Sequence, residues 1–154
     1  AASDVYKRQR VMSLQDPAKK MSKSDSNPKS TVFITDAPET IMKKFKSAVT
    51  DSEMCVRYAE GKDGINNLMT IYSAVTGLDF DKIESEFEGK GYGDFKKAVG
   101  EAVVAELAPV QEKFNRYMKD TAYLKECEKI GAERAGRLAS RTLQKAMKKV
   151  GFIL

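Results

Sequence analysis

Apolar residues recur along most of the chain at the three- and four-residue spacing of amphipathic helices. The first such segment has a cap signal at Asp36 and Glu39 and is predicted to run to about Thr50, with a stripe of Ile41, Phe45 and Val49. A second helix is predicted to open at Gly64 and stop at Gly77, with a stripe of Ile65, Leu68, Met69, Tyr72 and Val75.

Two further helices follow a short break. Asp79 is expected to cap a short helix whose apolar side carries Phe80, Ile83 and Phe87. Asp94 is expected to cap the longest helix, which contains Pro109, a residue that removes one backbone hydrogen bond and favours a kink. Its predicted buried stripe is Phe95, Ala98, Val99, Ala102, Val103, Leu107, Val110, Phe114 and Met118.

The end of the chain predicts two helices separated by a glycine. Asp120 should cap the first of them, which Gly131 should close after Tyr123, Leu124, Cys127 and Ile130. The last helix is predicted over residues 132–150, with Gly151 as its stop.

Ahead of the helices the pattern changes. Residues 11–14 are apolar and predict the end of a strand, and residues 31–34 predict another short extended stretch. Residues 15–30 are polar and rich in turn formers. The first ten residues have no periodicity, and we expect a leader or tag there. The fold is therefore predicted to be mainly α, a helical bundle behind a strand-and-loop entry.

Composition excludes several classes of protein. Hydrophobic residues make up 42% and charged residues 32%, which is typical of a soluble globular protein, and no apolar run is long enough to cross a membrane. The sequence has no histidine, which excludes a Ser-His-Asp or Cys-His arrangement within it. Cys55 and Cys127 are far apart and form no CxxC pair, which favours reduced cytoplasmic thiols over a disulfide or a zinc site.

Positive charge is concentrated at the end of the chain. Residues 132–154 contain six basic residues and one acidic residue, whereas residues 1–131 contain 21 of each. At about 100° per residue, five cations share one helix face, opposite an apolar side that should pack; this cationic face comprises Arg134, Arg137, Arg141, Lys145 and Lys148. It could bind RNA phosphates or be an ordinary solvated face, and the scarcity of acids favours RNA.

Residues 20–24 read Lys-Met-Ser-Lys-Ser and lie between Pro17 and Pro28. Two ammonium groups and several N–H and O–H donors in one short loop, called here the KMSKS loop, suit a polyphosphate ligand. The alternative is a solvated basic loop. The glycine-rich residues 88–93 lack the spacing of a phosphate cradle and predict a flexible helix–helix turn.

Several segments together resemble one family. KMSKS is a signature of class I aminoacyl-tRNA synthetases, and the chain from about Arg10 resembles the C-terminal half of bacterial tryptophanyl-tRNA synthetases in LQDPAKKMSKSDSNPKS, KSAVTDSE, GINNLMTIYS, EGKGYGDFK and GAERAGRLASRTLQKAMKKVGF. The resemblance implies that residues 11–35 end a Rossmann-type catalytic core and that residues 36–154 form a helical tRNA-binding domain. The absence of histidine means that a HIGH-like motif is missing, so we expect a fragment that is inactive alone.

The resemblance also implies roles for particular residues. Lys20 and Lys23 would be the catalytic cations, and the ATP-binding residues would be Val11, Lys20, Met21, Ser22, Lys23 and Ser24. The cationic face would bind tRNA(Trp), Mg²⁺ would arrive on the ATP phosphates without a metal site on the protein, and tryptophan would bind outside this chain. A cytoplasmic homodimer is expected for the intact family. Ser26 stands where many relatives are expected to have proline, which would alter loop stiffness. The alternatives are a tyrosyl-type synthetase fragment, a non-catalytic tRNA-binding module and a purely structural bundle.

Overall fold

The computed structural model describes residues 10–152. These residues contain five helices: α1 Pro38–Lys46, α2 Asp63–Thr76, α3 Phe80–Glu86, α4 Tyr92–Lys119 and α5 Thr121–Val150. The mainly helical fold predicted from the sequence is confirmed. Within residues 10–152 the extended stretches predicted at 11–14 and 31–34 form no strand, and one antiparallel bridge joins Met12 to Lys20. The predicted leader lies outside the described residues except for Arg10.

Contacts divide the chain into two compact units, one ending at Gln111 and the other beginning at Glu112. The first unit is built around the rings of Tyr72, Phe87 and Phe95, which meet edge to face with centroids 4.9 to 5.9 Å apart. Buried aliphatic side chains surround these rings, namely Leu14, Ile41, Ile65, Leu68, Met69, Ile83 and Val99. The KMSKS loop belongs to this unit and is therefore fixed to a packed helical core.

Helix α2 follows the pattern that the sequence predicts. Its stripe is buried except for the half-buried Val75, and its C-cap Gly77 has a φ of 75°, the left-handed conformation that glycine adopts without strain. Asp79 occupies the N-cap position of α3, as predicted. Helix α4 begins at Tyr92, so Asp94 lies in its first turn and is not its cap, and the helix continues through Pro109.

The expected cap of α1 is wrong. Ala37 is the N-cap residue, and the Asp36 carboxylate instead accepts hydrogen bonds from the Phe33 amide and the Lys44 ammonium group. The helix ends at Lys46 and not near Thr50, which leaves Val49 46% exposed. The local sequence predicts that the Asp36 carboxylate caps α1, but this carboxylate is used in contacts with Phe33 and Lys44 instead.

A buried polar cluster joins the loop before α2 to the start of α4. The Lys62 ammonium group lies 2.7 Å from Glu53, 3.1 Å from Asp51 and 3.0 Å from the Tyr92 hydroxyl, which donates to Asp51 at 2.6 Å. Burial alone would lower the pKa of Lys62, but its three hydrogen bonds raise that pKa above its ordinary value. Burial alone would raise the pKa of Asp51, yet the hydrogen bonds it accepts, above all from Tyr92, lower it.

In the second unit, two further predictions about the last helices are wrong. Gly131 does not end a helix, because α5 runs unbroken from Thr121 to Val150. The apolar side of α5 that should pack is open: no residue of this helix is buried, and Leu143 and Val150 are 59% and 73% exposed. Asp120 caps α5 by accepting the Tyr123 amide, and Gly151 ends it with a φ of 82°, both as predicted.

None of the helices in residues 10–152 is both long and apolar enough to span a membrane.

Candidate functional site

The KMSKS loop begins in the second arm of a short hairpin, in which residues 11–13 are joined to residues 19–21 by backbone hydrogen bonds. The Met21 amide donates to the Val11 carbonyl at 3.1 Å, and the Ser13 amide donates to the Lys19 carbonyl at 2.8 Å. Polar residues without helical periodicity favour this geometry, because their backbone groups pair across the turn instead of along a helix. The structure thus places Val11 beside the loop residues with which the sequence analysis grouped it.

The inner arm of this hairpin is fixed to α2 by one side chain. The amide of Asn67 accepts a hydrogen bond from the Met12 N–H and donates one to the Met12 carbonyl, each at 2.9 Å. Asn67 is buried, and both of its polar ends are satisfied by a residue 55 positions away. Sequence reasoning missed this residue, although an asparagine beside the apolar stripe of a helix is a signal for such a contact.

The segment that follows the KMSKS loop is fixed to α1 through Lys44. Its ammonium group donates to the Thr31 carbonyl at 2.8 Å and to the Asp36 carboxylate at 2.6 Å, and it lies 5.0 Å from the centroid of the Phe33 ring. Thr31 in turn donates its hydroxyl to the Ser22 carbonyl at 2.7 Å. A continuous line of hydrogen bonds therefore runs from the helical core into the KMSKS loop.

The loop itself closes as a small turn. The Asp25 amide donates to the Ser22 carbonyl at 3.2 Å, and the Ser24 amide donates to the Ser22 hydroxyl at 3.3 Å. The hydroxyls of Ser22 and Ser24 are 3.1 Å apart and share a hydrogen bond. Both serines are exposed, so these hydroxyls can exchange their mutual bond for a ligand oxygen.

Lys20 and Lys23 are exposed, and no carboxylate among residues 10–152 forms an ion pair with either one. The neighbouring Lys19 differs because it pairs with Asp16 at 2.8 Å, a contact that lowers the pKa of Asp16 and raises that of Lys19. An exposed pair of this kind contributes little stability but satisfies both charges. Two ammonium groups of the KMSKS loop therefore remain available to an anion such as a phosphate.

The cationic face of α5 lies in the second unit. All five of its side chains are exposed, and in the described part of the chain none of them forms an ion pair. The only acid of residues 132–152 is Glu133, which lies about 100° from Arg134 around the helix. The face is a row of unneutralised cations about 20 Å long, since helical residues rise by 1.5 Å each.

Within residues 10–152 no group of three or more acidic, cysteine or histidine residues could hold a metal ion. Asp16 forms an ion pair with Lys19, and the Asp25 carboxylate accepts a hydrogen bond from the Asn27 amide at 2.8 Å. The exposed ammonium and hydroxyl groups of the KMSKS loop are donors that suit an anion.

Comparison with known proteins identifies the family of the chain. Residues 4–108 match the family described as tRNA synthetases class I (W and Y). The chain therefore belongs to this family of class I tRNA synthetases, in which the KMSKS loop lies inside the matched region.

The relatives narrow the resemblance to the tryptophan branch. The chain is 53% identical over 144 residues to tryptophan–tRNA ligase of Listeria monocytogenes serotype 4b, covering 93% of this chain and 43% of the relative. Its structure matches tryptophanyl-tRNA synthetase of Mycoplasma pneumoniae with a TM-score of 0.74 and 30% identity, covering 94% of this chain and 44% of that one. The synthetase of Campylobacter jejuni, solved in complex with ADP and tryptophan, matches with a TM-score of 0.74 and 29% identity over 93% and 44%.

The chain thus spans less than half the length of the relatives that it matches. The resemblance to tryptophanyl-tRNA synthetases found in the sequence is confirmed.

Proposed function

We propose that this chain is part of a tryptophan–tRNA ligase, which activates tryptophan with ATP and transfers it to tRNA(Trp). Its relatives in Listeria and Mycoplasma carry this name, and the chain matches them over nearly all of its length. The observation that carries the proposal is the pair Lys20 and Lys23, which are exposed and form no ion pair within residues 10–152. The segments on either side of their loop are fixed to α2 and α1. The chain corresponds to 43% of the Listeria relative, so the complete reaction needs the remainder of such an enzyme.

The loop lysines act on charge that develops during activation. When the tryptophan carboxylate attacks the α-phosphate of ATP, negative charge grows on the departing pyrophosphate. Lys20 and Lys23 lower the barrier if their ammonium groups contact that charge more closely in the transition state than in the bound substrate. A loop that moves about fixed ends can provide this change by closing over the nucleotide.

The other predicted ATP contacts follow from the hairpin. The Ser22 and Ser24 hydroxyls and the Met21 backbone would face the phosphates beside the two lysines. The Val11 carbonyl already accepts a hydrogen bond from the Met21 amide. We therefore assign the adenine contact to the Val11 N–H. Mg²⁺ would be carried by the ATP phosphates, whose oxygens are the kind of ligand that this ion prefers.

The tRNA would lie against the cationic face of α5. Arginine and lysine in a row with 1.5 Å rise per residue can meet successive phosphates of one RNA strand. The second unit carries eleven basic and five acidic residues, a net charge of +6, which favours a polyanion. We further propose that the intact enzyme is a cytoplasmic homodimer whose tryptophan pocket lies outside these residues; the two free thiols fit a reducing compartment.

The test is ATP–pyrophosphate exchange dependent on tryptophan. The isolated chain should show no exchange, whereas a chimera that joins the N-terminal part of the Listeria relative ahead of Arg10 should restore it. The Listeria enzyme itself is the positive control. A folded chimera that binds ATP but fails to exchange, beside an active control, would refute the proposed activity.

A further inference from the structure

A cluster of exposed aromatic rings lies at the junction of α4 and α5, within the second unit. Tyr117 near the end of α4 stacks on Tyr123 in the first turn of α5, with ring centroids 5.4 Å apart and planes inclined by 20°. The Arg116 guanidinium covers Tyr117, 4.9 Å from the ring centroid, and donates to the Tyr117 hydroxyl at 3.2 Å. Tyr117 thus has two flat neighbours, the Arg116 guanidinium and the Tyr123 ring.

This layer is open to solvent. Tyr117 is 39% exposed and Tyr123 is 49% exposed, although each ring already has one stacked neighbour. Tyrosine rings left this accessible are costly to hydrate, because their faces are apolar. Tyr123, the more exposed of the two rings, is therefore the candidate for contact with one more flat group.

The position of Tyr123 on α5 indicates what that group is. At about 100° per residue, Arg141 lies in the same direction as Tyr123, and the other four residues of the cationic face lie within about 40° of it. No acidic residue of α5 falls inside this arc: Glu126 lies about 60° and Glu133 about 80° away. Arg134 begins about 17 Å along the axis from Tyr123, since eleven residues rise 1.5 Å each.

An aromatic face at one end of a row of cations matches single-stranded RNA in both of its chemistries. Phosphates are attracted by the cations, while an unpaired base stacks on tyrosine or on an arginine plane. A protein partner would match the rings but would need acidic residues along the whole arc. We therefore propose that Tyr123, backed by Tyr117 and Arg116, is a stacking platform for an unpaired base of an RNA whose strand follows the cationic face of α5. This inference rests on the proposed function, since it specifies how the tRNA is held.

The first test uses the 154-residue chain and a labelled RNA hairpin carrying the tRNA(Trp) anticodon loop. Tyr123→Leu keeps apolar bulk but removes the ring, and it should weaken binding about 5- to 150-fold, the range for one lost base stack. Tyr123→Phe keeps the ring and should bind as the parent chain does. The salt dependence of binding should be the same for all three proteins, because no charge changes.

A second variant keeps the test decisive if Tyr123→Leu disturbs the helix. The chain contains no tryptophan, so Tyr123→Trp creates a single reporter whose emission should be quenched by the hairpin RNA and not by a blunt RNA duplex. Equal affinity of Tyr123→Leu and parent, or no quenching by an RNA that binds, overturns the platform but leaves the cationic face intact. No binding by the parent chain at low salt overturns both. Loss of self-association in RNA-free Tyr123→Leu identifies a contact between copies and also overturns the platform.

Discussion

The hydroxyl of Thr31 donates a 2.7 Å hydrogen bond to the backbone carbonyl of Ser22, in the middle of the KMSKS loop. Thr31 is buried and its own carbonyl is held by Lys44, so the loop is tied to the packed core at a point between its two lysines. The loop is exposed, yet its resting conformation is determined by buried residues that follow it in the chain.

Removing that tie should loosen the loop without unfolding the protein. Thr31→Val preserves the shape of the side chain and removes the donor, which is expected to cost about 1 kcal/mol locally. Hydrogen exchange of the Ser24 and Asp25 amides, both bonded within the turn, should then accelerate about fivefold. Thr35→Val, at an exposed position, is the control. Unchanged exchange in Thr31→Val would show that Ser22 is held by other contacts.

Lys44 should be far more important for stability than its exposed neighbour on α1. Lys44→Met leaves the Asp36 carboxylate and the Thr31 carbonyl without their shared donor, and loss of one partner of a buried pair costs about 3 kcal/mol. Lys43→Met should change the free energy of unfolding by less than about 0.5 kcal/mol. Urea denaturation measures both. Similar midpoints for the two variants would argue against this anchor.

Asp51 should control part of the stability lost in acid. Its pKa is lowered in the folded chain, so the stability that it contributes is present above about pH 4 and disappears as the pH falls through the folded pKa. Asp51→Asn should therefore be less stable than the parent at neutral pH and lose less stability between pH 5 and pH 2. Glu106→Gln, at an exposed position of α4, should leave the acid limb unchanged. An unaltered slope in Asp51→Asn would contradict the role of the buried cluster.

Local signals in the sequence were enough to predict a mainly helical chain and the position of α2. The stripe of α2 and the stop at Gly77 are repeated patterns whose physical cause lies within a few residues, so they could be predicted correctly. Gly131 misled the prediction because glycine favours a helix end only where the chain also turns, and the residues after it continue the helix.

The anchors of the loop could not be predicted from the sequence. Asn67 forms hydrogen bonds with Met12, which lies 55 positions earlier in the chain. Asp36 does not cap α1 and instead accepts hydrogen bonds from Lys44 and Phe33. The first contact depends on the packing of distant segments, and the second on the fold of the loop before α1, neither of which a single sequence shows. The stack of Tyr117 and Tyr123 was hidden for a different reason: the sequence does not show the geometry of the turn between α4 and α5 that brings these two rings together.

Charge reversal at two sets of positions on α5 tests whether RNA binding depends on where the cations lie or only on the net charge. Arg137→Glu with Arg141→Glu should weaken binding of the hairpin RNA and reduce its salt slope by about 1.4, for two lost contacts with a single strand. Lys125→Glu with Lys129→Glu changes the net charge equally but lies on the opposite half of the helix, at about 200° and 240° from Tyr123. This control should bind more tightly than the first pair. Equal loss in both would mean that net charge alone attracts the RNA.

The most direct test of the central claim is the activation rate of the completed enzyme carrying Lys23→Ala, measured together with its affinity for ATP. Loss of a cation that acts on the departing pyrophosphate should slow adenylate formation about 100-fold while the Kd for ATP changes less than about threefold. Lys29→Ala, exposed in the same segment but outside the KMSKS loop, should leave both values unchanged. A loss of ATP affinity in Lys23→Ala with an unchanged rate of adenylate formation would show that the lysine contacts ATP equally well in the ground state and the transition state, and would contradict the account.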